Sequence, residues 1–157
     1  MRKGVADLHR RAQVSRKATE RYAESLATIA DKTPLGEIAE KLSRPVPWKG
    51  KRVRSLNLFA PEDTALVEAV SRGEYLVNGF RNRDLRGILY QAEAESVQEA
   101  RRRSAAVTRK LRLLRAHGLI EKIPKTHRYK VSTAGRSALT AILTARQADT
   151  AKLAAAA

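Results

Sequence analysis

The apolar side chains of this chain recur mostly at intervals of three and four residues, the spacing that places them on one face of a helix. Over residues 2–30 this spacing predicts a long helix. Thr33-Pro34 followed by Glu37 predicts a second, shorter helix, because a Thr cap, a first-turn proline and an early acid all favour a helix start. Residues 1–44 are therefore predicted to form a helical extension, in which the short helix buries Leu35, Ile38 and Leu42.

A stretch rich in proline and basic residues follows this extension. Pro45 and Pro47 predict the end of regular structure, and the segment WKGKRVR over residues 48–54 is strongly basic. We interpret residues 45–59 as a basic linker. Its tryptophan, Trp48, is expected to pack over the junction between the two parts of the chain rather than to stack on nucleic-acid bases.

Residues 60–148 are predicted to form one domain that begins with two helices. Pro61 and the acids after it indicate the start of the first helix. Residues 75–77 predict a short strand, Asn78-Gly79 a turn, and Asn82 the cap of the second helix. The aromatic residues of this region are expected in the core: Phe59, Phe80 and Tyr90.

The next helix has an apolar face and a basic face. Val107, Leu111 and Leu114 share one side at the spacing of a core stripe. Arg109 and Arg112 project from the opposite side. One face is therefore predicted to hold the fold together and the other to be free for a partner.

The start of this helix has two candidates. Ser104 gives a short helix, whereas Ser96 gives one of about 20 residues, or roughly 30 Å. Ser96 and Glu99 fit the S-x-x-E capping box, in which each side chain satisfies a free backbone donor of the other residue. The longer helix would add Arg101 and Arg102 to the basic face, and the choice stays open on sequence alone.

A β-hairpin is predicted after Gly118, which suits the left-handed position at the end of the helix. Residues 119–123 and 128–131 show strand-like alternation, and the basic residues 124–127 separate them. Tyr129 is expected to pack under this hairpin.

A final helix is predicted to follow, capped by Ser132 or Thr133, before an alanine-rich tail that frays over residues 149–157. Its inward face would carry Leu139, Ile142 and Leu143. The predicted fold class is thus mainly α with a small β-hairpin.

The charge of the chain is strongly positive, at +16 from 32 basic and 16 acidic residues. Residues 1–60 carry 14 basic and 6 acidic side chains, residues 61–93 carry 4 and 6, and residues 94–157 carry 14 and 4. Such an excess most often indicates a polyanionic partner. The nearly neutral middle indicates a folded core between two basic regions.

Two segments carry a resemblance to a known group of proteins. Residues 107–120, VTRKLRLLRAHGLI, resemble the recognition-helix signature of the winged-helix families that include the ArsR and MarR repressors, where Thr-Arg precedes Leu-x-x-Leu and the helix ends in Gly-Leu-Ile. Residues 127–136, HRYKVSTAGR, look like their wing strand and following helix start. The resemblance covers residues 60–146.

The resemblance implies a winged helix-turn-helix domain, here preceded by a helical N-terminal extension, that binds double-stranded DNA. The resemblance implies a role in transcriptional regulation or, alternatively, in a mobile-element or replication context. Residues 1–55 look instead like an internal stretch of longer bacterial proteins that end in a similar domain. Whether this chain is a fragment of such a protein stays open.

The same resemblance assigns roles to individual residues. A recognition helix places its exposed side chains in the major groove, where Arg bonds guanine and Thr meets a thymine methyl or an adenine. The predicted base-contacting residues are Ser104, Ala105, Thr108 and Arg109. The predicted phosphate and wing contacts are Arg101, Arg102, Arg112, Arg115, Lys125, His127 and Arg128.

Other classes of function have weaker support in the sequence. The chain has no cysteine, no glycine-rich phosphate loop and no pair of histidines at metal-binding spacing, so we expect no catalysis, no metal and no cofactor. No apolar run is long enough to cross a bilayer, and no apolar signal core follows the N-terminus, so no membrane partner and a cytoplasmic location are expected.

One alternative to DNA binding remains open. The apolar stripe within residues 5–29 also fits a helix that pairs with another subunit, which predicts a homodimer through the N-terminal helix. In that case the second domain would be a protein-interaction or assembly module with the same fold.

Overall fold

The computed structural model describes residues 33–147. The predicted long helix of residues 2–30, the homodimer that would use it, and the tail of residues 149–157 lie outside this range. The described part is mainly helical with two small antiparallel hairpins. In chain order its elements are α1 (Leu35–Leu42), β1 (Val46–Trp48), β2 (Lys51–Val53), α2 (Pro61–Val70), α3 (Tyr75–Asn78), α4 (Asn82–Leu89), α5 (Val97–Ala116), β3 (Ile120–Lys122), β4 (Tyr129–Val131) and α6 (Thr133–Gln147).

The helix predicted after Thr33 forms and packs against α6. It begins one residue later than expected, because Pro34 precedes the first helical residue. Leu42 is buried and Ile38 is half-buried, as the pattern predicts. The prediction that Leu35 is buried is wrong, since 42% of this residue is exposed.

The prediction of a linker over residues 45–59 is wrong, because its first half is a hairpin formed by β1 and β2. Lys49 and Gly50 form the turn with φ values of 50° and 72°, the left-handed conformation that two-residue hairpin loops favour. Pro47 is tolerated because β1 has a single neighbouring strand among residues 33–147, so the missing backbone donor can face away from the ladder, and Pro45 precedes the strand.

Hydrophobic contacts join this hairpin to the rest of the fold. Val53 and Leu56 are buried in the same apolar cluster as the helices of residues 60–147. The backbone N–H of Leu56 also donates to the carbonyl of Leu42 at 2.9 Å. Residues 33–59 thus complete the core instead of connecting two separate parts.

The segment between α2 and α4 differs from the prediction in two details. Residues 75–77 lie in the helical turn α3 and not in a strand. Phe80 instead pairs with Tyr129, each N–H donating to the other's carbonyl at 2.9 and 2.8 Å. Asn82 is not the cap of α4, because Arg81 precedes the helix and the Asp84 carboxylate accepts from its N–H at 2.7 Å.

The long helix α5 begins at Val97, which decides between its two predicted starts. The Ser96 hydroxyl accepts from the N–H of Glu99 at 3.1 Å, and the Glu99 carboxylate accepts from the N–H of Glu95 at 2.9 Å. The capping box is thus shifted by one residue on the carboxylate side. The first turn projects beyond the core, because 72% of Val97 is exposed.

The predicted hairpin after α5 is confirmed, with Ile120 opposite Val131 and Lys122 opposite Tyr129. Gly118 has φ 72°, the left-handed value expected of the residue that ends the helix. Ser132 caps α6, since its hydroxyl accepts from the N–H of Gly135 at 2.9 Å.

The core lies between α2, α4, α5 and α6. Phe80 is fully buried and Tyr90 is half-buried, but the prediction that Phe59 belongs to the core is wrong, because 92% of it is exposed. The core stripe of α5 and the inward face of α6 are confirmed by the burial of Val107, Leu111, Leu114, Leu139 and Ile142.

Candidate nucleic-acid interface

An exposed basic stripe runs along the outer side of α5, and we call it the arginine stripe. Its exposed residues are Arg101, Arg102, Ala105, Thr108, Arg109 and Arg112. Within residues 33–147, none of its four arginines has a carboxylate within 4 Å. The stripe therefore presents four exposed guanidinium groups without a carboxylate within 4 Å, although the charge of Arg102 still helps to lower the pKa of Glu99, and the exposed residues Ala105 and Thr108 lie among them.

The orientation of the stripe is fixed by the opposite face of α5. Val107, Leu111, Leu113 and Leu114 are buried in the core, and α5 packs closely against α4. Because the core residues set the rotation of the helix about its axis, the arginines cannot turn away from solvent without unpacking the fold.

Asn82 of α4 holds the centre of α5 through hydrogen bonds. Its amide donates to the carbonyl of Ser104 at 2.9 Å and to the hydroxyl of Thr108 at 3.0 Å. The Thr108 hydroxyl donates in turn to the Ser104 carbonyl at 2.9 Å. The Ser104 side chain is half-buried and its hydroxyl lies 3.3 Å from the Asn82 carbonyl oxygen. Ser104 is thus engaged within the fold, whereas Thr108 is exposed.

Arg103 has a different role from the two arginines before it. Its guanidinium donates to the Glu99 carboxylate at 3.0 Å and to the carbonyl of Ala92, and it lies 5.0 Å from the centre of the Tyr90 ring. Backbone donation from Glu95 and the Arg103 guanidinium lower the pKa of Glu99. Arg103 therefore fastens the start of α5 to the preceding loop.

The tip of the second hairpin, residues 123–128, places Lys125 and His127 in solvent. Lys125 has φ 57°, and the Thr126 hydroxyl stabilises the turn by donating to the Ile123 carbonyl at 2.9 Å. Arg128 is half-buried and donates to the carbonyl of Asn78 at 2.9 Å, so part of its donor capacity is used within the fold.

Arg115 lies at the far end of α5, beyond the arginine stripe. It is half-buried, and its guanidinium lies 5.2 Å from the centre of the Trp48 ring. The packing role predicted for Trp48 is therefore confirmed, with β1 lying against α5. The structure separates Arg115 from the freely exposed arginines with which it was grouped.

Sequence reasoning missed the roles of Asn82 and of the pair formed by Arg54 and Asp63. Asn82 bonds residues 22 and 26 positions away, and Arg54 bonds Asp63 nine positions away, through 2.6 and 2.7 Å contacts. No local spacing signals such contacts. The sequence showed only that Asn82 is a polar residue near a helix start, which predicted a helix cap and not a contact with α5.

A cavity of about 270 Å³ lies beside α1 and α6, and none of the predicted DNA-contacting residues lines it. In the part of the chain that the structure describes, no three His, Asp or Glu side chains cluster as metal ligands. Over the same residues no helix is long and apolar enough to cross a membrane.

Comparison with protein families, with curated proteins and with solved structures gives no match to this chain.

Proposed function

We propose that this chain binds double-stranded DNA through a winged helix-turn-helix arrangement. In this proposal α2, α4 and α5 are the three helices of the motif, α5 is the recognition helix, the hairpin of β3 and β4 is the wing, and α6 closes the domain. The order of these elements and the close packing of α4 on α5 support this assignment.

The observation that carries the proposal is the arginine stripe. Its four unpaired guanidinium groups lie on a helix of 20 residues whose rotation is fixed by a buried opposite face. An α-helix fits the major groove, and Arg is the side chain that most often bonds guanine there. Arg109 and Thr108 lie at the exposed centre of the helix and are the proposed base readers, with Ala105 beside them.

The remaining exposed cations are assigned to the sugar–phosphate backbone. Arg101, Arg102 and Arg112 flank the proposed base readers on the same helix, and Lys125 and His127 extend from the wing. Phosphate contacts set register and orientation without reading sequence. Ser104, engaged by Asn82, is proposed to position Thr108 rather than to contact a base.

Selection of bound duplexes from a random pool, followed by titration, tests this function. We expect Arg109→Ala to weaken binding to a selected site by about 1–3 kcal/mol and to random duplex by less. Arg72→Ala is the control, because Arg72 is exposed and paired with Glu74 away from α5. Equal losses on both duplexes would rule out base reading by Arg109.

Salt dependence separates DNA binding from the assembly alternative. A reader that contacts several phosphates loses affinity steeply as salt rises, because it displaces condensed counterions. Absence of duplex binding even at low salt would overturn the proposal and leave the assembly module, which sedimentation of the full chain then tests. The helix expected to mediate that assembly lies outside the described residues.

A further inference from the structure

The first hairpin carries a second cluster of exposed cations, one of which, Lys49, also lies 5.2 Å from the centre of the Trp48 ring. Lys49, Lys51 and Arg52 are all exposed, and the structure gives none of them a carboxylate within 4 Å in residues 33–147. They follow one another around the tight turn at Lys49 and Gly50, so the turn concentrates three positive charges at one end of the hairpin. We call these three residues the hairpin cations.

The position of this hairpin is fixed by contacts at its base. Arg54, directly after β2, bonds both oxygens of Asp63 at 2.6 and 2.7 Å. The backbone carbonyl of Arg54 lies 2.9 Å from Nε2 of His117, at the end of α5. Trp48 contacts the Arg115 guanidinium from the other strand. The hairpin is therefore held against the last turn of α5 from both strands.

The hairpin lies at one end of the arginine stripe. Ala105, Arg109, Arg112 and Ala116 share one face of α5 by their spacing of three and four residues. The first three are exposed, whereas Ala116 is half-buried and packed against the core, next to Arg115, whose guanidinium lies over Trp48 of β1. Arg115 follows Arg109 by six residues, or about 9 Å along the helix axis. The first hairpin therefore adjoins the C-terminal end of the stripe.

We propose that the first hairpin is a second contact to DNA, in which the hairpin cations bind the phosphate backbone beside the segment read by α5. This inference rests on the proposed function. Lysine ammonium groups on an exposed turn are flexible point charges that suit phosphates, while base reading favours groups held in a fixed geometry. The contact adds affinity without adding sequence preference.

The test is a charge-removing variant with a matched control. Lys49→Asn, Lys51→Gln and Arg52→Gln together remove three charges, and Asn tolerates the left-handed conformation at position 49. The control, Arg44→Gln with Arg72→Gln and Arg146→Gln, removes three exposed charges that pair with acids elsewhere. Both variants are made in the full chain, and thermal melting confirms that each folds.

The readout is affinity for one random-sequence duplex of about three helical turns as salt is raised. Each lost phosphate contact lowers the slope of log affinity against log salt by about 0.9, so the hairpin variant should lose about 2–3 from its slope. The slope of the control variant should fall by clearly less. Equal slopes in the wild type and the hairpin variant would overturn the inference, as would equal losses in both variants.

The experiment also separates the two proposals. If the wild type binds no duplex, the proposed function fails and the inference fails with it. If the wild type binds and the hairpin variant keeps the full slope, the proposed function stands and the hairpin contact is wrong. Trp48, the single tryptophan of the chain, gives an independent readout, because duplex bound at the hairpin should change its emission.

Discussion

The two hairpins of this protein flank the same helix but are held in different ways. The second hairpin is joined to the body through its backbone, because Tyr129 of β4 pairs with Phe80 on one side and with β3 on the other. Within residues 33–147 the first has no strand neighbour outside itself, and it is held by buried Val53 and by the side chains of Trp48 and Arg54. One hairpin therefore depends on close backbone approach and the other on side-chain contacts.

The largest expected effect breaks the attachment of the second hairpin. Gly79 has φ 63°, and a Cβ at this position would overlap the carbonyl oxygen of Tyr129. Gly79→Ala should therefore lower the free energy of unfolding by about 3–5 kcal/mol, since the backbone pairing between Phe80 and Tyr129 must shift. Denaturant unfolding measures the loss. Gly73→Ala is the matched control, because a Cβ there meets no atom within 4 Å.

A change of less than 1 kcal/mol for Gly79→Ala would show that the second hairpin can move away from residue 79 at little cost. The two hairpins would then not differ in this respect, since neither would depend on close backbone approach.

A smaller effect is expected from the polar anchor of the first hairpin. Asp63 is 2% exposed and accepts from the Arg54 guanidinium twice and from the N–H of Asn57 at 2.9 Å. Asp63→Asn should cost about 1–3 kcal/mol of unfolding free energy, because it removes a charged acceptor from three hydrogen bonds. Glu68→Gln, at an exposed position of the same helix, is the control and should change stability much less.

The stabilisation that Asp63 provides should decrease as pH falls. Burial opposes ionisation of Asp63, but donation from Arg54 and Asn57 outweighs it and holds its pKa below the ordinary value. A carboxylate with a lowered folded pKa stabilises above its unfolded pKa of about 3.9 and loses that contribution as pH falls further. The stability difference between wild type and Asp63→Asn should therefore shrink as pH falls from about 6 to about 3. A difference that grows over this range would contradict the anchor.

The contrast between the hairpins also shows what local sequence can predict. Gly118 and Ser132 act through backbone groups within a few residues, so their patterns predicted the end of α5 and the start of α6 correctly, whereas Ser96 was one of two starts of α5 that the sequence left open. Alternation likewise predicted the second hairpin. The first hairpin was not predicted, because Pro45 and Pro47 usually indicate the end of regular structure. Pro47 is nevertheless allowed in β1, since this strand has a single neighbour within residues 33–147.

The candidate site likewise has features that local sequence predicts and features that it does not. The exposed positions of Arg109 and Arg112 follow from helical periodicity, because Val107, Leu111 and Leu114 set the opposite face. The engagement of Ser104 by Asn82, and of Arg115 by Trp48, requires elements distant in sequence to meet. The role of a side chain in this site therefore depends on tertiary contacts that residue type and spacing do not encode.

The smallest expected effect sharpens the account of the first hairpin. Arg115→Gln removes the guanidinium beside the Trp48 ring while leaving a polar side chain on α5. We expect a loss of about 0.5–1 kcal/mol in unfolding free energy, the range of a partly exposed cation–π contact, together with a red shift of Trp48 emission as its environment becomes wetter. Arg112→Gln, one turn earlier and exposed without a carboxylate partner in residues 33–147, should change neither quantity. If both variants leave Trp48 emission unchanged, the Arg115 guanidinium does not hold the ring, and the attachment of this hairpin rests on buried Val53 and on the polar anchor at Asp63.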